Sequence, residues 1–329
     1  MEPLLKLSKK TLSPLEGKKN LLAFSAGVDS SALFFLLIQH NILFDIALVN
    51  YNLREESKEE EVYALHLAQK HTLKAHIKQA PYFKNNFEKN ARDFRYAFFD
   101  ELMTNYDNLL TAHQLNDQLE WFLMRLSKGA GTSELLGLEA ISRRKEYRVI
   151  RPLLQQAKDE LENYLKKNNH KYFIDASNTD EKYERNRFRK NFSDKLIEDY
   201  KEGIKRSFGY LKKDKKVLAR GVEELFHEKE FYVLSYTEEH QIVRLVDKYL
   251  KKLGYLLSGQ QRVELKKETS LVFGGLWAVE IEAKNIFIAP YKNITMPKTF
   301  KEECRKRKIP SKIRKYLYEE EIEIRFLGI

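Results

Sequence analysis

The sequence predicts an α/β protein: a parallel-sheet domain followed by a smaller, mostly helical plus β C-terminal region. Three observations predict it. Over the first 130 residues short apolar runs alternate with amphipathic stretches, an order that builds a parallel sheet through right-handed crossovers. After Arg151-Pro152 that alternation stops. The charge is also uneven: of a net +11, residues 201–329 carry 28 Lys+Arg against 19 Asp+Glu, and residues 1–200 carry 31 against 29.

The elements follow in order. Leu21-Leu22-Ala23-Phe24 reads as a buried strand, and Ser30 to His40, rich in Leu and Phe, as a helix. Asp45 to Val49 is a second strand. Glu56 to His71 is a charged helix whose apolar face is expected to use Val62, Leu65 and Leu67-Ala68. Leu73 to Ile77 reads as a third strand, Phe87 to Thr104 as a long helix, Leu109 to Ala112 as a fourth strand and Asn116 to Lys128 as a helix. In such sheets ligands bind at the carboxyl ends of strands. Beyond residue 152, Asp159 to Asn168 is helical, with Asp159-Glu160 favouring its N-terminus. Asp180 to Phe208 is a charged helical stretch, and 209–255 reads as mostly helical. Residues 271–289 alternate as strands do, with Trp277, Val279 and Ile281 on one side and a turn at Lys284-Asn285. Lys298 to Tyr318 is basic and helical, broken at Pro310. A boundary near 205 divides the chain into residues 1–205 and a basic region, 206–329.

Composition narrows the function classes. The chain has 329 residues, 43% hydrophobic and 12% aromatic, enough for packed cores and unlike a disordered chain. A single cysteine, Cys304, excludes an intramolecular disulfide and an all-cysteine zinc site. Met1-Glu2-Pro3-Leu4-Leu5-Lys6 has no signal-peptide pattern, and no apolar run nears the roughly 20 residues that span a bilayer. The expected setting is cytoplasmic, away from membranes.

The most informative segment is Ser25-Ala26-Gly27-Val28-Asp29-Ser30, between a strand and a helix. Gly27 permits a close backbone approach. The following helix offers free N–H groups and a positive dipole end, and Ser25, Ser30 and Ser31 add hydroxyls. Together they form an anion site suited to pyrophosphate. Asp29 would repel bare phosphate, which points to a Mg²⁺ bridge. No Gly-Lys-Ser/Thr follows, so this is not the lysine-containing phosphate loop.

The segment resembles the Ser-Gly-Gly-X-Asp-Ser loop of the PP-loop ATP pyrophosphatases, whose fold is that of the adenine nucleotide alpha hydrolases. Ala26 replaces the first Gly and demands either an ordinary backbone conformation there or a modest adjustment of the turn. Four more segments resemble the bacterial tRNA(Ile)-lysidine synthetases. Val49-Asn50-Tyr51-Asn52-Leu53-Arg54-Glu55-Glu56-Ser57 is similar to the family's Val-Asn-His-Gly-Leu-Arg followed by Glu-Ser, with Tyr51 and Asn52 in place of His and Gly. Ala91-Arg92-Asp93-Phe94-Arg95-Tyr96 is close to Ala-Arg-X-X-Arg-Tyr. Thr111-Ala112-His113-Gln114-Leu115-Asn116-Asp117-Gln118-Leu119-Glu120 is similar to Ala-His-His-X-Asp-Asp-Gln-X-Glu-Thr, with Asn116 for the first Asp and Trp121 for Thr. The fourth runs from Ile150-Arg151-Pro152 to Asp175-Ala176-Ser177-Asn178-Thr179-Asp180 and ends in Tyr183-Glu184-Arg185-Asn186-Arg187-Phe188-Arg189.

The resemblance implies ATP and Mg²⁺ as cofactors, with the nucleotide on Ser25 to Ser31 and Asn50 and the metal on Asp29 and Asp117. It implies a reaction that joins free L-lysine to C2 of the wobble cytidine in the isoleucine tRNA with a CAU anticodon, by a monomer or homodimer. Asp29, His113, Asp117, Glu120 and Arg185 are the catalytic candidates. Arg54, Arg92, Arg95, Arg187 and Arg189 are candidates for tRNA or the adenylate. From the residues themselves, Asp117 and Glu120 are three apart and share a helix face. A His and two carboxylates at a strand end can hold Mg²⁺, orient an amine or accept its proton. Arg185, Arg187 and Arg189 alternate, a spacing that on a helix puts them on no common face; the resemblance suggests that Arg185 or Arg187 reaches the triphosphate or the adenylate. Phe273-Gly274-Gly275-Leu276-Trp277-Ala278-Val279 and the tail from Lys298 to Tyr318 loosely resemble the family's tRNA-binding region. From Met296 to Tyr318 nine Lys/Arg face two acids, a patch fit to grip phosphate with little base specificity. A tRNA thiolase of the same superfamily and a non-catalytic tRNA-binding protein are the alternatives.

Overall fold

A computed structural model describes residues 5–52, 56–174 and 184–324. The chain divides into two compact units, Met1–Lys212 and Lys213–Ile329.

The first unit contains, in order, α1 (Lys9–Leu12), β1 (Asn20–Ala23), α2 (Val28–Gln39), β2 (Phe44–Asn50), α3 (Glu56–Lys70), β3 (Ala75–Gln79), α4 (Phe87–Leu102), β4 (Asn108–Leu110), α5 (Leu115–Leu126), α6 (Thr132–Leu135), β5 (Ile141–Arg144), β6 (Tyr147–Ile150), α7 (Lys158–Lys167), α8 (Glu184–Phe188) and α9 (Asp194–Leu218), the last running past the unit's end. A π-helical turn, Arg189–Ser193, joins α8 to α9. The sheet order is β3-β2-β1-β4-β6-β5. All neighbours are parallel except β5 and β6, an antiparallel hairpin absent from the sequence reading.

Successive strand residues face opposite sides. Leu22, Ile46, Leu48, Leu110 and Ile150 pack with Leu33, Leu37, Leu161 and Leu165 of α2 and α7. Leu21, Ala47, Leu109 and Val149 pack on Phe98 and Phe99 of α4. On α3 the buried apolar positions are Ala64, Leu67 and Ala68, whereas Val62 and Leu65 are exposed, which corrects the expected apolar face at those last two positions. One turn of helix puts 64, 67 and 68 on a single side and turns 62 and 65 away from it.

The strand order positions the site. The chain leaves β1 towards β2 and β3, then returns to β4 on the other side of β1. The carboxyl ends of β1 and β4 are therefore a topological switch point, where loops part and a crevice opens.

The second unit contains β7 (Glu223–Glu228), β8 (Phe231–Ser235), α10 (Gln241–Lys252), α11 (Gly259–Glu264), β9 (Ser270–Phe273), β10 (Trp277–Glu282), β11 (Asn285–Pro290), α12 (Lys298–Lys306) and α13 (Arg314–Glu319). Its antiparallel sheet has the order β7-β8-β11-β10-β9. One face, with Trp277 and Val279, packs on Leu245, Val246 and Leu250 of α10. The other, with Phe231, Val233 and Phe287, packs on Cys304, Ile313 and Leu317. The hairpin β7–β8 corrects the helical reading of 209–255. Phe231 to Leu234 is buried on both faces, and a strand buried on both faces has no alternation to distinguish it from a core helix.

Candidate active site

The phosphate loop follows β1. Phe173 donates its N–H to the Ala26 carbonyl at 2.9 Å, pinning the loop from outside the sheet. Inside it, the Ser30 hydroxyl donates to the Gly27 carbonyl at 3.2 Å and accepts from the Ser25 N–H at 3.2 Å. The Ser31 hydroxyl donates to the Ala26 carbonyl at 3.1 Å and is fully buried; it shapes the loop. Val28 and Asp29 open α2, whose N-cap is Gly27.

The left-handed residue of this loop is Ala26, with φ 58°, and not Gly27, with φ −75°. Of the two expectations for position 26, an ordinary conformation or an adjusted turn, the ordinary conformation is not found: the alanine takes a backbone that favours glycine, a cost of about 1–2 kcal/mol. Asn52 does the same where the similar family pattern has Gly, with φ 50°, and Asn is among the side chains that tolerate this region best. Both positions are thus left-handed. Because Ala26 is fully buried, Ala26→Val should cost roughly 2–4 kcal/mol in urea unfolding, from backbone strain and overpacking together. Ala26→Gly trades relief of strain against a lost buried methyl, and should stay within about 1 kcal/mol of the parent.

Asp29 has a buried Oδ1 with no hydrogen-bond partner among the described residues. Burial, and then the neighbouring Asp117, push its carboxyl up to about 7, against the fields of Lys158 and Arg189. A buried carboxylate without a partner is costly.

The loop after β4 brings the other half. The Thr111 N–H donates to the Ile150 carbonyl at 3.0 Å, and the Thr111 hydroxyl bonds His113 Nδ1 at 2.9 Å. Burial pushes His113 down to about 4, with Arg151, Arg185 and Arg95 adding to burial and Asp117 opposing it; the imidazole is neutral at physiological pH. Asp117 Oδ2 accepts the Gln114 N–H at 3.1 Å as part of the α5 cap. Asp117 Oδ1 takes Arg185 at 2.8 Å and Arg189 at 3.4 Å. Glu120 takes Arg189 at 3.0 Å on one oxygen and the Arg185 Nε on the other. Burial would raise Asp117, but Arg185, His113, Arg189 and the Gln114 N–H hold it below the usual carboxylate range. For Glu120 burial prevails over Arg185 and Arg189, and its carboxyl is raised. Two acids three residues apart are thus driven in opposite directions, a pattern suited to separate roles.

Arg185 and Arg189 are four apart and meet the same two acids, one from α8 and one from the π turn. This corrects the expectation of no common face for Arg185 and Arg189, since residues i and i+4 are neighbours on a helix surface. Arg187 is exposed and lies outside the cluster. Asn50 is buried: its amide donates to Ser57 and Glu61 and accepts the Asn52 N–H, so it fixes the turn after β2. Arg92 and Arg95 are exposed on α4; Asp100 is occupied by Arg144, Lys145 and Tyr147. Arg54 and the segment 175–183 lie outside the described residues. Three residues were missed: Glu88, whose field reaches Arg185, Lys158, whose field reaches Asp29, and Arg151. Arg151 stood in a quoted motif but gave no sign of its neighbours.

Asn116, in place of a family Asp, is buried and joins three elements. Its amide donates to Asp194 at 2.8 Å and accepts the Lys158 N–H at 3.2 Å. Asn116→Asp would set two carboxylates against each other. The new group's pKa would be raised, so stability would be lost as pH rises. A loss of about 2–3 kcal/mol at pH 8, smaller at pH 5, is expected in chemical denaturation.

A parallel α/β sheet with this loop at its switch point defines an ATP-using protein of the PP-loop class, and residues 3–196 match the PP-loop domain family. A U34-tRNA thiolase from Methanococcus maripaludis, solved with its [4Fe-4S] cluster, shares the fold at TM-score 0.50 and 19% identity, covering 77% of this chain and 86% of its own. The chain is 46% identical over 320 residues to a tRNA(Ile)-lysidine synthase of Campylobacter jejuni, covering 96% of this chain and 98% of the relative. It is 43% identical to those of Helicobacter pylori and Wolinella succinogenes, covering 94% and 91% of this chain and 92% and 93% of theirs. The chain belongs to the tRNA(Ile)-lysidine synthase family.

Proposed function

We propose that this protein uses ATP to join L-lysine to C2 of the wobble cytidine in the isoleucine tRNA with a CAU anticodon, releasing AMP and pyrophosphate. The observation that carries the reading is the buried Asp29 Oδ1 at the phosphate loop, without a hydrogen-bond partner among the described residues and one strand from the Asp117–Glu120–Arg185–Arg189 set.

The triphosphate lies on the α2 N-terminus and the Ser25 and Ser30 hydroxyls. Mg²⁺ fits Asp29, whose orphaned oxygen is a hard donor, with Asp117 as a second carboxylate; when bound it neutralises phosphate charge. Arg185 and Arg189 turn from the acids to the charge that builds on the phosphates. The cytidine O2 attacks the α-phosphate, pyrophosphate leaves, the lysine ε-amine attacks C2, and AMP leaves. Neutral His113 and the raised Glu120 carboxyl are the groups able to orient that amine and take its proton. Residues 206–329, with the basic tail, hold tRNA phosphate.

A thiolase reading is disfavoured. Cys304 is the only cysteine, is fully buried, and has its thiol pushed up to about 11 by burial; a reactive thiol needs the opposite. Incubation with ATP, labelled lysine and total tRNA tests the proposal. Label should enter one isoleucine tRNA with a CAU anticodon; no label with folded protein would overturn it. A non-catalytic tRNA binder would show no tRNA-stimulated ATP–pyrophosphate exchange.

A further inference from the structure

The second unit holds a cavity of about 520 Å³ that the functional reading leaves unused. Its walls are apolar and come from separate elements: Ile281 from β10, Ile242 and Val243 from the first turn of α10, and Leu265 from the turn that ends α11. Backbone bonds hold them in place. The Ile281 N–H donates to the Thr269 carbonyl at 2.7 Å, and the Tyr236 N–H donates to the Lys284 carbonyl at 3.0 Å. The Gln241 side-chain oxygen accepts the Thr237 and Glu238 N–H groups at 3.1 and 3.2 Å, which fixes the turn into α10.

Two features of the lining point to a ligand. Tyr236, directly after β8, lines the cavity and is only 9% exposed. Its ring is packed in the core, yet its hydroxyl bonds no described residue and is not closed to solvent. Burial, and then Glu239, raise the phenol above its usual range, so it stays protonated and can donate. A buried polar group left open in a cavity wall is a partner held for something else. The rim is the second feature. Lys266, Lys267 and Glu268 follow α11, and Glu239 and His240 precede α10. None of these five side chains makes an ion pair or a hydrogen bond with a described residue.

A cavity of this size, with apolar walls and a few placed polar groups, suits a small molecule. The polar groups narrow its class. Paired lysines are point-charge partners for a phosphate. A glutamate accepts a hydrogen bond from the exocyclic amine of a base, and a phenol can donate to a ring nitrogen. The aliphatic walls cover the flat faces of that base. Inorganic phosphate would leave those walls unused, and a fatty acid would leave the glutamates unmatched. An RNA strand calls for a track of cations, and here two glutamates offset the two lysines. We infer that this cavity is a second nucleotide site, for a free nucleoside monophosphate whose base carries an amine. It shares no residue with the phosphate loop, so it gives that nucleotide a hold on the protein separate from ATP. AMP, which the reaction proposed above releases, is one such nucleotide, but the assignment rests on the cavity alone.

Equilibrium dialysis of the full chain against labelled AMP counts the sites. The double variant Lys266→Ser, Lys267→Ser should bind one AMP per chain fewer than the parent. Both lysines are exposed, so the variant should fold and melt as the parent does. Tyr236→Phe should weaken the same site about 3- to 10-fold, the effect of one hydrogen bond. Adenosine lacks the phosphate, IMP the amine and ribose 5-phosphate the base. Adenosine and ribose 5-phosphate should each compete for the site at least about 10-fold less well than AMP, and IMP about 3- to 10-fold less well. Equal AMP counts in the parent and the double variant would overturn the inference, as would ribose 5-phosphate competing as well as AMP. A double variant that keeps its AMP and loses affinity for single-stranded RNA would also overturn it, and would make the lysines an RNA grip. The count is a difference between two proteins, so it stands whether or not the parent joins lysine to tRNA; failure of that reading shows separately, in the labelled-lysine incubation.

Discussion

Asp29→Asn should abolish adenylation and, at the same time, stabilise the ligand-free protein above pH 7. The two effects have one cause. Asp29 is held where burial and Asp117 raise its carboxyl from 3.8 to about 7. A group whose folded pKa is raised contributes its full stability below the unfolded pKa, and that contribution is lost as pH rises through the folded pKa. The carboxyl is thus protonated and tolerated at pH 4, and its ionised form becomes a burden by pH 8, at most about 4 kcal/mol at 1.36 kcal/mol per unit. Asparagine removes the burden, with Oδ1 still buried but uncharged. Melts of both proteins at pH 5 and pH 8 should show a gain for the variant at pH 8 that shrinks at pH 5. ATP–pyrophosphate exchange should fall about 10³-fold, the scale of losing a group that manages phosphate charge. Equal melting differences at the two pH values would remove the electrostatic explanation. Wild-type exchange in the variant would remove Asp29 from the site.

The same residue illustrates what sequence reading can reach. Asp29 and its loop were legible because strand, turn and helix follow directly along the chain, and the acid at the loop already pointed to a cation. The parallel sheet was legible for the same local reason. What escaped depends on which strands are neighbours. Arg151 and His113 are far apart in sequence and adjacent only because β6 pairs with β4. Lys158 reaches Asp29 because Asn116 fixes the start of α7. Hairpin β7–β8 escaped for a different reason: Phe231 to Leu234 faces two cores, α10 on one side and the α12–α13 segment on the other, and so lost the alternation that names a strand. Ala26 shows the limit at a single residue. Its φ is set by the Phe173 contact and the Ser31 hydroxyl, which composition cannot reveal.

Arg185→Met should reduce both stability and rate, and the pH dependence separates them. Arg185 bonds Asp117 and Glu120, which are both buried. Removing a buried partner costs about 3–5 kcal/mol. Here the Arg185 side chain is 45% exposed and Arg189 stays on both acids, so solvent screening reduces the expected loss to about 2 kcal/mol. Without Arg185 the two carboxyls lose the cation that lowers them, their folded pKa values rise, and the loss grows with pH. The variant should therefore melt closer to the parent at pH 5 than at pH 8. The rate effect has no such recovery. An arginine that stabilises phosphate charge is worth about 10²–10³ in kcat, and exchange should stay low at either pH. Arg185→Lys should recover most of the stability, because a charge still meets the acids, but little of the rate, because a point charge does not match a two-oxygen phosphate edge. Full exchange activity in the Met variant would assign the phosphate role to Arg189 and leave Arg185 as the counter-charge that keeps Asp117 ionised. The acids and arginines neutralise one another, so in the proposed reaction Arg185 would have to leave Glu120 to meet phosphate charge. The raised Glu120 carboxyl makes that exchange easier, since a carboxyl that readily gains a proton holds its arginine less tightly than Asp117 does.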